Sequence, residues 1–117
     1  MATEPATDAG TPTEPIFIDG QSHLEEVVAE NDVVLTDFYA DWCGPCKMIE
    51  PVVESLAETT DAAMAKVDVD ANQQLASAYG VRGVPTLVLF ADGEQVEEIV
   101  GVQGEGQLRT LIERYTE

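Results

Sequence analysis

Apolar positions along this chain follow two rhythms, one suited to strands and one to helices. Residues 33–40, Val-Val-Leu-Thr-Asp-Phe-Tyr-Ala, are apolar at nearly every position, the pattern of a central strand covered on both faces. Asp37 is the one charge in that run. In residues 43–59, Met48, Ile49, Val52, Val53, Leu56 and Ala57 recur at helical spacing, which predicts a helix with that side buried and a kink at Pro51. Upstream, residues 15–18 read as a short first strand. Ser22-His23-Leu24-Glu25 then has the form of a capping box, opening a helix that turns Leu24, Val27 and Val28 inward and ends near Asn31. Downstream, residues 64–69 predict a third strand and 73–79 a short helix closed by Gly80. Residues 86–91 and 95–100 predict a hairpin turning at Asp92-Gly93, and a last helix carries Leu108, Leu111, Ile112 and Tyr115. Strand-helix units followed by an antiparallel pair make an α/β fold, a mixed central sheet with helices on both faces.

A chain of 117 residues can bury one proper core, so its two cysteines are not needed for folding. Residues 1–15, built from Ala, Thr, Pro, Glu and Asp without apolar periodicity, would lose entropy on ordering and bury nothing in return. They are expected to form a mobile acidic tail, leaving residues 16–117 as the domain. The same stretch has neither a basic start nor an apolar run, and no segment reaches the roughly 18 apolar residues of a membrane span. A cytoplasmic monomer is the expectation. In that compartment a lone cysteine pair is more often catalytic or metal-binding than structural. The formal charge of -18, from 23 acids against five bases, excludes nucleic acid and anionic membrane as natural partners, because both would be repelled.

Cys43 and Cys46 stand three apart at a predicted helix start, where a tight disulfide can close with little backbone movement. The first of the two sits where helix N–H groups favour an anion, so Cys43 is the better thiolate. The thiolate attacks in disulfide exchange; the nucleophile is then the cysteine with the more exposed sulfur, and its buried neighbour resolves the mixed disulfide. A zinc knuckle needs about four ligands, whereas this chain adds only His23, on another helix, to its two cysteines. No metal is expected, and His23 reads as a surface residue. Haem attachment would want a histidine after the second cysteine, and Lys47 stands there.

Asp37-Phe38-Tyr39-Ala40-Asp41-Trp42-Cys43-Gly44-Pro45-Cys46-Lys47 resembles the active-site stretch of the thioredoxin family. The likeness extends to Lys66-Val67-Asp68-Val69-Asp70, to residues 79–86 around Val84-Pro85, and to Val100-Gly101, covering about 100 residues from Ile16 onward. It implies the thioredoxin fold: about five strands, the last two an antiparallel hairpin, with about four helices. It also implies a protein-disulfide reductant that needs no bound cofactor beyond a Cys43-Cys46 disulfide, acts on disulfide-containing client proteins and is recharged by a thioredoxin reductase. Gly44-Pro45 resembles the reductant branch, where oxidases and isomerases of the same fold usually carry a histidine. Two rivals stand beside this reading: an oxidase or isomerase, and a binding module whose cysteines are bystanders.

The resemblance also assigns roles to the neighbours. A carboxylate in an apolar strand is costly unless paired or functional, and Asp37 is implied to be a buried acid that takes the proton of Cys46, with Lys66 as its partner. A hydrogen-bonded core acid is the plainer alternative. Lys47 either favours the Cys43 thiolate or is a solvated helix charge. Pro85 would be trans on sequence grounds alone, whereas the resemblance implies a cis bond facing the cysteines, with the Val84 backbone pairing an extended substrate. Trp42, Gly44, Pro45, Val84, Pro85, Gly101 and Val102 would form an apolar groove for clients, unless Gly101 only relieves crowding at a strand end. Tyr39 and Thr36 depart from the family's usual residues. Finally, Glu50, Glu54 and Glu58 recur one turn apart with no cation beside them in the helix, so like charges oppose folding in dilute solution. Adaptation to a saline cytoplasm follows as an expectation.

Overall fold

The computed structural model describes residues 10–116. Its elements run β1 (Ile16–Phe17), α1 (Gln21–Glu30), β2 (Val33–Tyr39), α2 (Gly44–Thr59), β3 (Ala63–Asp68), α3 (Gln73–Ala78), β4 (Thr86–Ala91), β5 (Glu94–Val100) and α4 (Glu105–Thr116). The five strands are ordered β1-β3-β2-β4-β5. β1 and β2 pair in parallel with β3, whereas β4 is antiparallel to β2 and to β5. The mixed sheet read from the sequence is the one formed. Of the expected tail, residues 1–9 lie outside the described residues, and within 10–15 the Thr11 hydroxyl donates to the Asp61 carbonyl at 3.1 Å.

The chain moves one way across the sheet from β1 to β2 and the other way from β2 to β3, so right-handed crossovers send α1 and α2 to opposite faces. Strand alternation then sorts the core into two layers. Val34 and Phe38 of β2 pack with Leu24 and Val27 of α1 and Leu75 of α3. Val33 and Leu35 pack with Ile49, Val53 and Leu56 of α2 and Leu108 and Ile112 of α4. By the same alternation Asp37 belongs to the α2 face and Thr36 to the α1 face, where its buried hydroxyl has no hydrogen-bond partner among the described residues.

Two local expectations are corrected. Ser22 does not cap α1: the N-cap is Gly20 at φ 88°, and the imidazole Nδ1 of His23 accepts from the Asp19 backbone N–H at 2.9 Å. His23 thus supplies the backward half of a capping arrangement from the third helical position, and Gly20, anchored by its N–H to Asn72 Oδ1 at 2.9 Å, takes a left-handed conformation that a serine would resist. Met48, expected inside, is 67% exposed, because the α2 stripe that meets the sheet runs through Cys46, Ile49, Val53 and Leu56. Within α2, Pro51 leaves the Lys47 carbonyl without its usual intrahelical donor. The hairpin turns at Asp92 and Gly93, with φ 52° and 86°, the pair of positive values that a two-residue turn between twisted strands requires.

Candidate active site

β2 ends at Tyr39, and Ala40 accepts the Cys43 N–H at 3.2 Å, so the chain turns directly from the central strand into α2. Cys43 is the N-cap of that helix, with Pro45 in its first turn, a position where a missing N–H costs nothing. Cys43 and Cys46 form a disulfide with their Cα atoms 5.3 Å apart. Both are buried in this disulfide state, Cys43 at 3% and Cys46 at 1% exposed. The difference between them lies in hydrogen bonding: Cys43 Sγ accepts the Cys46 backbone N–H at 3.1 Å.

The Val84-Pro85 bond is cis, as the resemblance implied and the bare sequence did not. Val84 packs against the cysteines, its carbonyl oxygen 3.7 Å from Cys43 Sγ. The loop is tied from both sides, by Thr86 Oγ1 donating to the Gly83 carbonyl at 2.7 Å and by Gly101 N–H donating to the Pro85 carbonyl at 2.9 Å. Gly101 does not relieve crowding: an added Cβ would meet nothing within 4 Å, but φ is +98°, a conformation that disfavours any side chain. Around this centre Trp42 is 70% exposed, Gly44, Pro45 and Val102 are exposed, Val84 and Gly101 are half-buried and Pro85 is buried. The indole Nε1–H of Trp42 donates to Asp70 Oδ2 at 2.8 Å, and Asp68 Oδ1 in turn accepts the Asp70 N–H at 2.9 Å. Asp70 was not read as a site residue from the sequence; its signals were its place in the Lys66–Asp70 likeness and its position just past the end of β3.

Asp37 is 1% exposed, and neither carboxylate oxygen has a hydrogen-bond partner among the described residues. Burial pushes it up to about 6, with the Lys66 charge pulling it down and the Glu50 charge pushing it further up. Lys66, opposite Asp37 in the β2–β3 register, is the charge that draws Asp37 down but makes no direct ion pair with it. Its ammonium lies 3.9 Å from Glu50 Oε2 and over the rings of Tyr39 and Phe17, 4.6 and 5.5 Å from their centroids. This also corrects the reading of Glu50 as an acid without a cation. The signal for Glu50 was present, since it stands one helical turn after Cys46 on the same stripe. Lys47 is exposed. Among the described residues no group of three or more His, Cys, Asp and Glu side chains is placed to hold a metal ion, and no helix is long and apolar enough to cross a membrane.

A thioredoxin family model matches residues 14–114. The chain belongs to the thioredoxin family. It is 45% identical over 95 residues to a thioredoxin of Mycobacterium tuberculosis, 80% of this chain and 82% of that one. A solved point-mutant thioredoxin from Halobacterium salinarum shares 70% identity with a TM-score of 0.91, covering 94% of this chain and 97% of that one. A bifunctional thioredoxin reductase/thioredoxin of Mycobacterium leprae is 40% identical over 104 residues, 23% of its own length. As a thioredoxin the chain is a thiol-disulfide oxidoreductase, a protein-disulfide reductant whose Cys43/Cys46 pair cycles between dithiol and disulfide. The reactive group is that disulfide, and thioredoxins need no cofactor beyond it.

Proposed function

We propose that Cys43 is the attacking thiolate and Cys46 the resolving thiol. Cys43 sulfur attacks one sulfur of a client disulfide, the client S–S bond breaks, and the departing client thiolate takes a proton from water. Asp37 accepts the proton of Cys46, whose thiolate attacks Cys43 Sγ and expels the second client thiolate; the client gains two electrons, and Cys43-Cys46 becomes the disulfide. The observation that carries this order is Cys43 at the N-cap of α2 with its sulfur accepting a backbone N–H, since such a site favours negative sulfur. Buried and without a hydrogen-bond donor among the described residues, Asp37 is suited to take up a proton near neutral pH.

Clients dock as extended segments across Trp42, Gly44, Pro45, Val84, Pro85, Gly101 and Val102, with Val84 offering its backbone. A separate thioredoxin reductase recharges the disulfide, a reading supported by the fusion of both activities in the Mycobacterium leprae relative. The redox domain is residues 16–117, it acts as a monomer in the cytoplasm, and its surface is adapted to high salt. Charge supports the last point: -18 over 117 residues gives self-repulsion that only concentrated ions screen well. The similarity to the Halobacterium salinarum protein points the same way. Reduction of insulin disulfides with dithiothreitol, run on wild type and Cys43→Ser, tests the central step: the variant should be inactive, and retained turnover would overturn the assignment.

A further inference from the structure

We infer that Glu50 is a positioning residue for the proton-accepting carboxylate: it holds the Lys66 ammonium and so keeps Asp37 without a direct ion pair. This rests on the reading of Asp37 as proton acceptor for Cys46.

Asp37 and Lys66 are direct partners in the β2–β3 register, on the face that α2 covers, and neighbouring strands place such opposite charges within reach of each other. The pair does not form. No Asp37 oxygen comes within 4.0 Å of Lys66 Nζ, whereas Glu50 Oε2 lies at 3.9 Å. The rings of Tyr39 and Phe17 also face the ammonium, each an attractive surface for a cation. The energetic choice follows from hydration. The Glu50 side chain is 46% exposed and the Lys66 side chain 9%, so in this pair the carboxylate keeps much of its water and only the ammonium is nearly buried. Turning to Asp37 instead would set two buried charges against each other, a desolvation recovered only with additional hydrogen bonds, and Asp37 has none among the described residues.

Glu50 therefore acts twice in one direction. It holds the Lys66 cation out of direct contact with Asp37, which limits how far that charge stabilises the ionised form, and its own negative charge opposes ionisation. The remaining groups facing Asp37 do not supply a substitute. Lys66 comes from β3, Glu50 from α2 and Tyr39 from its own strand. β4 places Leu87 opposite it, and α4 brings Leu108 and Ile112 to this layer.

The test is a carbon-13 NMR titration of the Asp37 carboxyl carbon in the full-length oxidised protein, where neither cysteine titrates. Glu50→Gln should lower the midpoint by about one pH unit, the effect of returning a nearby cation and removing an anion. Glu54→Gln, which removes an equal charge one turn further along α2, should leave it in place. In a Lys66→Gln background the added Glu50→Gln change should produce less than half that shift. An unmoved midpoint in Glu50→Gln, an equal shift in Glu54→Gln, or a full shift without Lys66 would each overturn the inference. The pH profile of client reduction by the same variants separates this from the role of Asp37. A carbon midpoint that moves while the profile stays fixed supports the hold of Glu50 on Asp37 and removes the proton-acceptor reading alone.

Discussion

The two ends of β2 gather loops in similar numbers and put them to different use. At its start, Glu30, Asp32, Asp61 and Asp92 line a cleft of about 890 Å³ with Gly10, Thr11 and Tyr115. At its finish there is a disulfide under a low apolar surface, with one buried acid inside the sheet. The roomy end holds no thiol, while the end that carries the redox chemistry is edged by the exposed Trp42, Gly44, Pro45 and Val102. A client segment bound by strand addition needs an exposed backbone and flanking apolar contacts, not enclosure. Electrostatics separates the ends as well. A carboxylate facing water is screened by salt, but one taken out of water has its protonation set by burial and by its few neighbours.

The largest effect should come from the cysteines. Cys43→Ser should abolish client reduction, and Cys46→Ser should accumulate mixed disulfides visible on non-reducing gels, whereas Asp61→Asn in the far cleft should leave turnover within about twofold. Equal trapping by both cysteine variants would erase the assigned order of attack.

Next, Asp37→Asn should slow turnover at neutral pH by about a hundredfold, the lower range for loss of a positioned proton acceptor. Its stability effect has a definite sign. Folding raises this carboxyl from 3.8 to about 6, so the folded state binds more protons between those values and wild-type stability falls as pH climbs through them, levelling above about 6. The stability gain of Asp37→Asn over wild type should therefore grow from pH 4 to pH 7 by up to about 3 kcal/mol, read from urea unfolding at the two pH values. A pH-independent difference would mean the acid is not destabilised by burial.

Salt should act on the surface and spare the buried acid. The melting temperature should rise by roughly 10 °C from dilute to molar potassium chloride, as repulsion along Glu54 and Glu58 and over the whole domain is screened. A flat or falling curve would refute the adaptation. The smallest change is Gly101→Ala, which should cost about 1 kcal/mol through its positive φ alone, measured by the same urea unfolding; an unchanged midpoint would show that the loop adjusts freely.

Much of this architecture was legible in advance because burial leaves a local signature. The nearly continuous apolar run of β2 announced a strand covered on both faces, and Asp37 stood out in it for the same reason. Periodicity was less reliable on α2, where Met48 fits an apolar stripe but lies outside the arc that the sheet covers. The capping pattern at Ser22 misled because a glycine in left-handed conformation two residues earlier ended the turn first.

By itself, the sequence determined the elements and their order, the mixed sheet, the cysteine pair at a helix start and the burial of Asp37. These depend on residues close together in the chain, where turn chemistry and the periods of helix and strand apply directly. Tertiary structure alone decided which charge meets which. Lys66 reaches Glu50 instead of its strand neighbour Asp37, and Trp42 leans on Asp70, because long side chains choose among groups that packing brings together from separate elements. That choice turns on differences in hydration between a half-exposed and a buried partner, which arise only once α2 has closed over the sheet.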